Sequence, residues 1–238
     1  MAIKNIAASV LNRLKNQSKE EGIPFQMVLQ LFVQEEFLRK LALSEYVDNL
    51  ILKGGMFIYT LTEFDSRPTR DIDFLIKNLC GSLENIEQTM RDICNISTGN
   101  DFVSPEVFTY SLESTIAEKF DAILQRMAGT SRMKDFYDIY YLSGIFDFEG
   151  EILIEAVKNT LIHRNRELSD VVFAEIADFK NNNALNTQWK AFGPAKGSGL
   201  LFDDVVNRIA VFLEPIYQNI LRKTDFDKRC SCESKMWM

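Results

Sequence analysis

Apolar residues recur every three or four positions over most of this chain, and that spacing predicts helices. Ile6, Val10, Leu11 and Leu14 form one stripe in a first helix near 3–16, with Glu21 and Gly22 marking a break. Pro24 suits the first turn of a second helix, where its missing N–H is not needed. That helix runs to about residue 43, with Phe25, Val28, Leu29, Phe32, Phe37 and Leu41 on its apolar face. Strand-like pieces are few: 49–52, 71–76, and short stretches near 94–97 and 106–111. From Glu113 the helical spacing returns, in segments near 113–129, 134–145, 149–163, 169–191 and 200–223, with 193–199 as a loop. The pattern predicts an α+β fold, a small mixed sheet flanked by helices and followed by a helical C-terminal portion. The expected division is 1–111 for the N-terminal helices and core, 112–225 for the helical portion, and 226–238 as a flexible tail.

With 238 residues and 46% apolar content the chain can bury a substantial core in one or two domains. No apolar run approaches the length of a bilayer span, and the N-terminus lacks a signal-type apolar stretch, so a cytoplasmic protein with no membrane partner is expected. A net charge of −7 argues against wholesale coating of nucleic acid, while leaving room for a local basic face. The cysteines, Cys80, Cys94, Cys230 and Cys232, show no Cys-x-x-Cys spacing, and His163 is the one histidine. A His/Cys zinc site is nearly excluded, and any Ser-His or Cys-His chemistry would rest on His163 alone. That residue lies near a predicted helix end, where a surface or capping role is commoner.

The chemistry concentrates first in residues 53–76, KGGMFIYTLTEFDSRPTRDIDFLI. Side chains alternate along a strand, so Ile72, Phe74 and Ile76 are expected on one face and Asp71 and Asp73 on the other. Two carboxylates side by side repel unless a cation sits between them, and oxygen ligands of this kind suit Mg²⁺ carrying a substrate's phosphates. Gly54 and Gly55 allow close backbone approach and can present amides at a helix start. Taken alone, an Asp-x-Asp is usually a solvated strand edge and a Gly-Gly a plain turn. Their order matters more: an apolar run, the glycines, a helix, a turn-rich loop and then the acidic strand.

A second block, residues 112–142, reads LESTIAEKFDAILQRMAGTSRMKDFYDIYYL. Leu112, Ile116, Phe120, Ile123, Leu124 and Met127 define a buried stripe, and Lys119 falls on or beside it. A lysine there either snorkels to water or meets an anion; a functional one would hold a triphosphate. Asp135 and Asp138 share a helix face at i and i+3. An ordinary salt-bridged helix start is the plain alternative.

With both blocks quoted, the chain resembles the AbiEii/AbiGii-type nucleotidyltransferase toxins, the enzymatic half of bacterial toxin–antitoxin or phage-defence pairs. LILKGGMFIY…RPTRDIDFLI at 50–76, STIAEKFDAI…SRMKDFYDIYYL at 114–142 and QLFVQEEFLRKLALSEY at 30–46 carry the likeness. The resemblance implies a polymerase-β-like nucleotidyltransferase core and Mg²⁺-dependent transfer of NMP from an NTP to RNA, notably the tRNA 3′ end, with a cognate antitoxin as partner. It implies Asp71 and Asp73 as metal ligands, and Asp71, Asp73, Lys119 and Asp135 as catalytic. It further implies nucleotide-binding roles for Lys53, Gly54, Gly55, Arg70, Arg132, Lys134 and Asp138. One departure stands out. The strand-rich segment expected between the two blocks is short here, and Asn95 stands where a carboxylate is expected, leaving Asp92 or Asp101 as substitutes. An amide weakens metal binding and cannot serve as a base. A shortened homologue that binds NTP or antitoxin without transfer is therefore the alternative, and a purely structural helical protein the third.

Overall fold

The computed structural model describes residues 6–79, 81–98, 105–196, 198–224 and 226–238. The chain forms two compact units, Met1–Tyr110 and Ser111–Met238, and its fold class is α+β.

In the first unit, α1 (Ile6–Glu21) packs against α2 (Phe25–Ala42). Pro24 stands just before α2, and its carbonyl accepts the amides of Met27 and Val28. Then come β1 (Leu50–Lys53), α3 (Gly54–Leu61), β2 (Asp73–Ile76) and α4 (Leu83–Asn95). β1 and β2 pair antiparallel, with Lys53 opposite Asp73 and Leu52 opposite Phe74. On its other edge Leu52 forms a parallel bridge to Thr109, donating to the Phe108 carbonyl (2.8 Å) and accepting from Tyr110 N–H (2.9 Å). β1 is thus the middle of a small mixed arrangement, and its alternate residues Leu50 and Leu52 are buried with Met56, Phe57 and Ile58 of α3. Among the described residues β2 pairs with β1 only, and Leu75 and Ile76 are exposed. Among the described residues it is an edge strand.

The second unit is built from α5 (Leu112–Arg126), α6 (Met133–Ile145), β3 (Phe148–Glu149), α7 (Gly150–His163), α8 (Val172–Asp178), α9 (Asn183–Ala191), α10 (Phe202–Arg222) and β4 (Arg229–Cys230). Ser111 caps α5, its hydroxyl accepting from the Ser114 amide. Ile116, Phe120 and Ile123 of α5 point into a core shared with Phe136 and Ile139 of α6, Leu153 and Val157 of α7, and Ile209 and Phe212 of α10. α10 is the long central element, and aromatic edges interlock around it: Phe120 with Tyr217, and Phe136 with Phe202.

Three sequence expectations differ from this structure. The stretch near 94–97 is not a strand; Cys94 and Asn95 end α4, whose Ser82 cap and buried Thr89 and Ile93 favour helix. The segment 169–191 breaks at Asn182, whose side chain accepts from Ala184 and Leu185 and starts α9 afresh. Residues 226–238 are packed rather than loose. β4 pairs with β3, Cys230 is fully buried, and the Trp237 ring stacks on Phe212 at 5.8 Å. Trp237 Nε1–H donates to the Phe212 carbonyl at 2.9 Å, and the buried Arg208 donates to the Lys235 carbonyl. Two apolar anchors, Cys230 and Trp237, outweigh the polar average of that stretch. Among the described residues no helix is long and apolar enough to cross a membrane.

Candidate nucleotide and metal site

Gly54 opens α3 with φ +71°, a backbone conformation that favours glycine. A Cβ at that position would run into the Asp73 carboxylate. At Gly55 a Cβ would lie 2.9 Å from Thr69 Oγ1. The room left by the two glycines is therefore filled by the acidic strand and the loop before it, so their spacing serves to seat Asp73 and Thr69 on the start of α3. Thr69 in turn ties down Asp71: its hydroxyl lies 3.4 Å from both the Asp71 amide, from which it accepts, and the Asp71 carbonyl, to which it donates. Asp71 precedes β2, so Thr69 rather than strand alternation fixes its backbone. Nothing in the sequence pattern singled out Thr69, although its place in the Arg-Pro-Thr-Arg-Asp turn is where such a hydroxyl acts on the next residues.

Asp71, Asp73 and Arg70 are all exposed. The Arg70 carbonyl accepts from the Gln30 side chain of α2, which anchors the turn. Lys53 faces Asp73 across the ladder, and opposed residues share one face of the sheet. Its ammonium also lies 5.0 Å from the Tyr110 ring centroid. On the reverse face Phe74 packs against Phe37 at 5.9 Å.

Mg²⁺ commonly takes one or two protein carboxylates and fills its remaining positions with phosphate oxygens and water. Asp71 and Asp73 fit that donor set. Among the described residues no group of three or more His, Cys, Asp or Glu side chains is gathered. Asp92 is already engaged: Tyr46 Oη–H donates to Oδ2 at 2.9 Å and Gln88 Nε2 to Oδ1 at 2.7 Å. The Asp92 bond is also the main cause that raises the Tyr46 hydroxyl pKa. Asp92 thus ties α4 to the end of the α2 region and is not available as a third ligand. Asn95 is exposed at the last position of α4, and Asp101 lies outside the described residues.

The second unit gathers its own charges. Lys119 is 8% exposed, and its Nζ sits 2.5 Å from Asp138 Oδ2 and 3.6 Å from Asp135 Oδ1. Asp135 and Asp138 are each 2% exposed. Arg132 Nε lies 2.6 Å from Asp135 Oδ2, a close ion pair rather than a well-aligned hydrogen bond. Lys119 does not snorkel: the i, i+3 aspartates of α6 meet it inside. Two cations and two anions offset one another, which is what lets Lys119, Asp135 and Asp138 lie out of water, with the partly exposed Arg132 at the rim. Lys134, between Arg132 and Asp135 in sequence, is instead exposed. A further, part-buried pair was not visible in the sequence. Asp121 accepts from Arg166 at 2.5 and 3.2 Å, and that bond raises the Arg166 pKa. His163 is exposed at the end of α7 and joins neither cluster.

The model of the family described as "Nucleotidyl transferase AbiEii toxin, Type IV TA system" matches residues 36–106 and 95–208. The chain belongs to that family. Its match is split into two stretches, and the split falls between the two sequence blocks, where a strand-rich segment was expected to be short. Among curated proteins, Staphyloferrin A synthase of Staphylococcus aureus (strain NCTC 8325 / PS 47) is 26% identical over 134 residues, 56% of this chain and 20% of that protein. The chain therefore spans about a fifth of the length of the curated relative it matches. No solved structure matches.

Two outcomes test this geometry. Gly54→Ala should lower stability in denaturant melts by about 1–2 kcal/mol for its backbone alone. Displacement of Asp73 adds to that loss, so the penalty should shrink by about 1 kcal/mol in an Asp73→Ala background; equal penalties would mean the two residues do not press on each other. Lys119→Met should cost about 3–5 kcal/mol by removing the cation closest to the buried Asp138 carboxylate. Adding Asp138→Leu should restore part of that loss, and strict additivity of the two changes would contradict the pairing.

Proposed function

We propose that this chain transfers a nucleoside monophosphate from an NTP to an RNA acceptor, with the tRNA 3′ end as the favoured acceptor and Mg²⁺ as cofactor. The biological setting of this reading is the toxin side of a toxin–antitoxin pair, with a cognate antitoxin protein as partner. The observation that carries it is the seating of Asp73 on the Gly54 turn, beside Asp71, in a chain of the AbiEii family.

Asp71 and Asp73 would hold the metal, which when bound neutralises the triphosphate and lowers the acceptor hydroxyl's pKa. Lys53, opposite Asp73, adds positive charge beside the acids. In the second unit Lys119, to which the resemblance assigns a triphosphate contact, has three donors and is held by Asp138 at 2.5 Å. Asp138 and Arg132 hold Lys119 and Asp135 in place, so we assign them as positioning residues. Asp135 completes the polar group, and Arg70 and Lys134 supply exposed positive charge.

A second reading is favoured by one observation. With Asn95 in α4 and Asp92 bound to Tyr46 and Gln88, a third carboxylate is not gathered among the described residues. On this reading the chain binds NTP or antitoxin and transfers nothing. Incubation with RNA and an NTP radiolabelled at the α-phosphate separates the two. The transferase reading expects label in RNA with Mg²⁺, reduced on the order of a hundredfold or more by Asp73→Ala. Labelling that survives Asp73→Ala removes the acidic strand from the chemistry. Nucleotide that raises the melting temperature without any label transfer selects the second reading.

A further inference from the structure

An open groove of about 470 Å³ lies between the start of α6 and the end of α9, within the second unit. Arg132 and Lys134 form one wall, and Gln188 and Phe192 the other. The walls have different chemistry. Lys134 is exposed and has no carboxylate partner among the described residues. Arg132 reaches the same groove while its charge is offset by Asp135 at 2.6 Å. Phe192 is half-buried, held by Trp189 at 5.6 Å and Tyr137 at 5.8 Å, so its ring is stiffly placed. Gln188 Oε1 is a buried acceptor with no hydrogen-bond partner, and an orphan of that kind calls for a donor.

We propose that this groove seats one nucleotide of the RNA acceptor, a proposal that rests on the reading of the chain as an RNA-directed transferase. A backbone phosphate lies against Lys134 and Arg132, and the base stacks on Phe192. The charge decides between RNA and NTP. With Arg132 offset by Asp135, the wall carries one net positive charge, which matches a single phosphodiester and not the several charges of a triphosphate. The aromatic ring opposite a basic wall is the arrangement that single-stranded nucleic acid uses, because every base has a face to stack. Arg132 also links the groove to the Lys119–Asp135–Asp138 cluster, so an occupied seat would bear directly on those side chains.

The test uses the full chain and an end-labelled single-stranded oligoribonucleotide, with affinity read by fluorescence anisotropy at several salt concentrations and in the absence of NTP. Lys134→Gln should weaken binding and lower the slope of log Kd against log salt by about 0.7, the loss of one phosphate contact. Phe192→Leu keeps an apolar side chain against Trp189 and should weaken RNA binding about tenfold through lost stacking. Both variants should give the melting curve of a folded protein, and Phe192→Leu should keep wild-type affinity for Mg²⁺–ATP. RNA affinity unchanged in both variants overturns the proposal. So does a loss confined to ATP, or failure of the wild-type chain to bind RNA. RNA binding that depends on these residues without any label transfer leaves the seat standing and removes the transferase reading. Label transfer with RNA affinity untouched by either substitution does the reverse.

Discussion

The contact between the Asp73 carboxylate and the bare Cα of Gly54 sets the geometry of the first unit. Only a residue without Cβ fits beneath that carboxylate, and the same position has a left-handed backbone that glycine favours. From this follow the short hop from β1 into α3, the register that places Lys53 opposite Asp73, and the approach of Thr69 to Gly55. Asp71 and Asp73 nonetheless stay exposed to solvent.

The second unit solves a different problem. Charges buried beside an aliphatic core are tolerated only when they are paired. Lys119, Asp135, Asp138 and Arg132 meet this condition by coming from α5 and from the first turns of α6, which pack closely. Helical spacing puts both aspartates on the one face that Lys119 meets. The cluster is neutral as a whole, so its members are held firmly without an excess field. An anion brought near Lys119 would compete with Asp138, and any catalytic use of the lysine must work through that competition.

Much of this was legible from periodicity and turn chemistry. The stripe of α5, the helical segments of α6 and α10, the Pro24 start and the Gly-Gly turn each follow from local rules, whereas in α2 packing buries Gln34 and Leu38 and only Val28 and Leu41 of the expected stripe. Family membership was legible for another reason: the blocks around Gly54, Asp73, Lys119 and Asp135 have an order and spelling that few unrelated chains share. What stayed hidden depends on contacts distant in sequence. The docking of Trp237 on Phe212, the capture of Asp92 by Tyr46 and the Asp121–Arg166 pair all join residues with no local signature. The depth of Lys119 was undecidable from its own helix, because α6 supplies both carboxylates that keep it inside. The edge position of β2 was hidden too, since alternation reports which face a side chain takes and not how many neighbours a strand has.

The central claim is that Asp73, seated on the Gly54 turn, and Asp71, held by Thr69, grip metal-bound phosphate. Calorimetric titration of Mg²⁺–NTP into the wild-type chain and into an Asp71→Asn/Asp73→Asn variant tests it most directly. The account predicts saturable binding by the wild type and none by the variant, whose melting curve without nucleotide stays that of a folded protein. Equal affinity in the two proteins would contradict it.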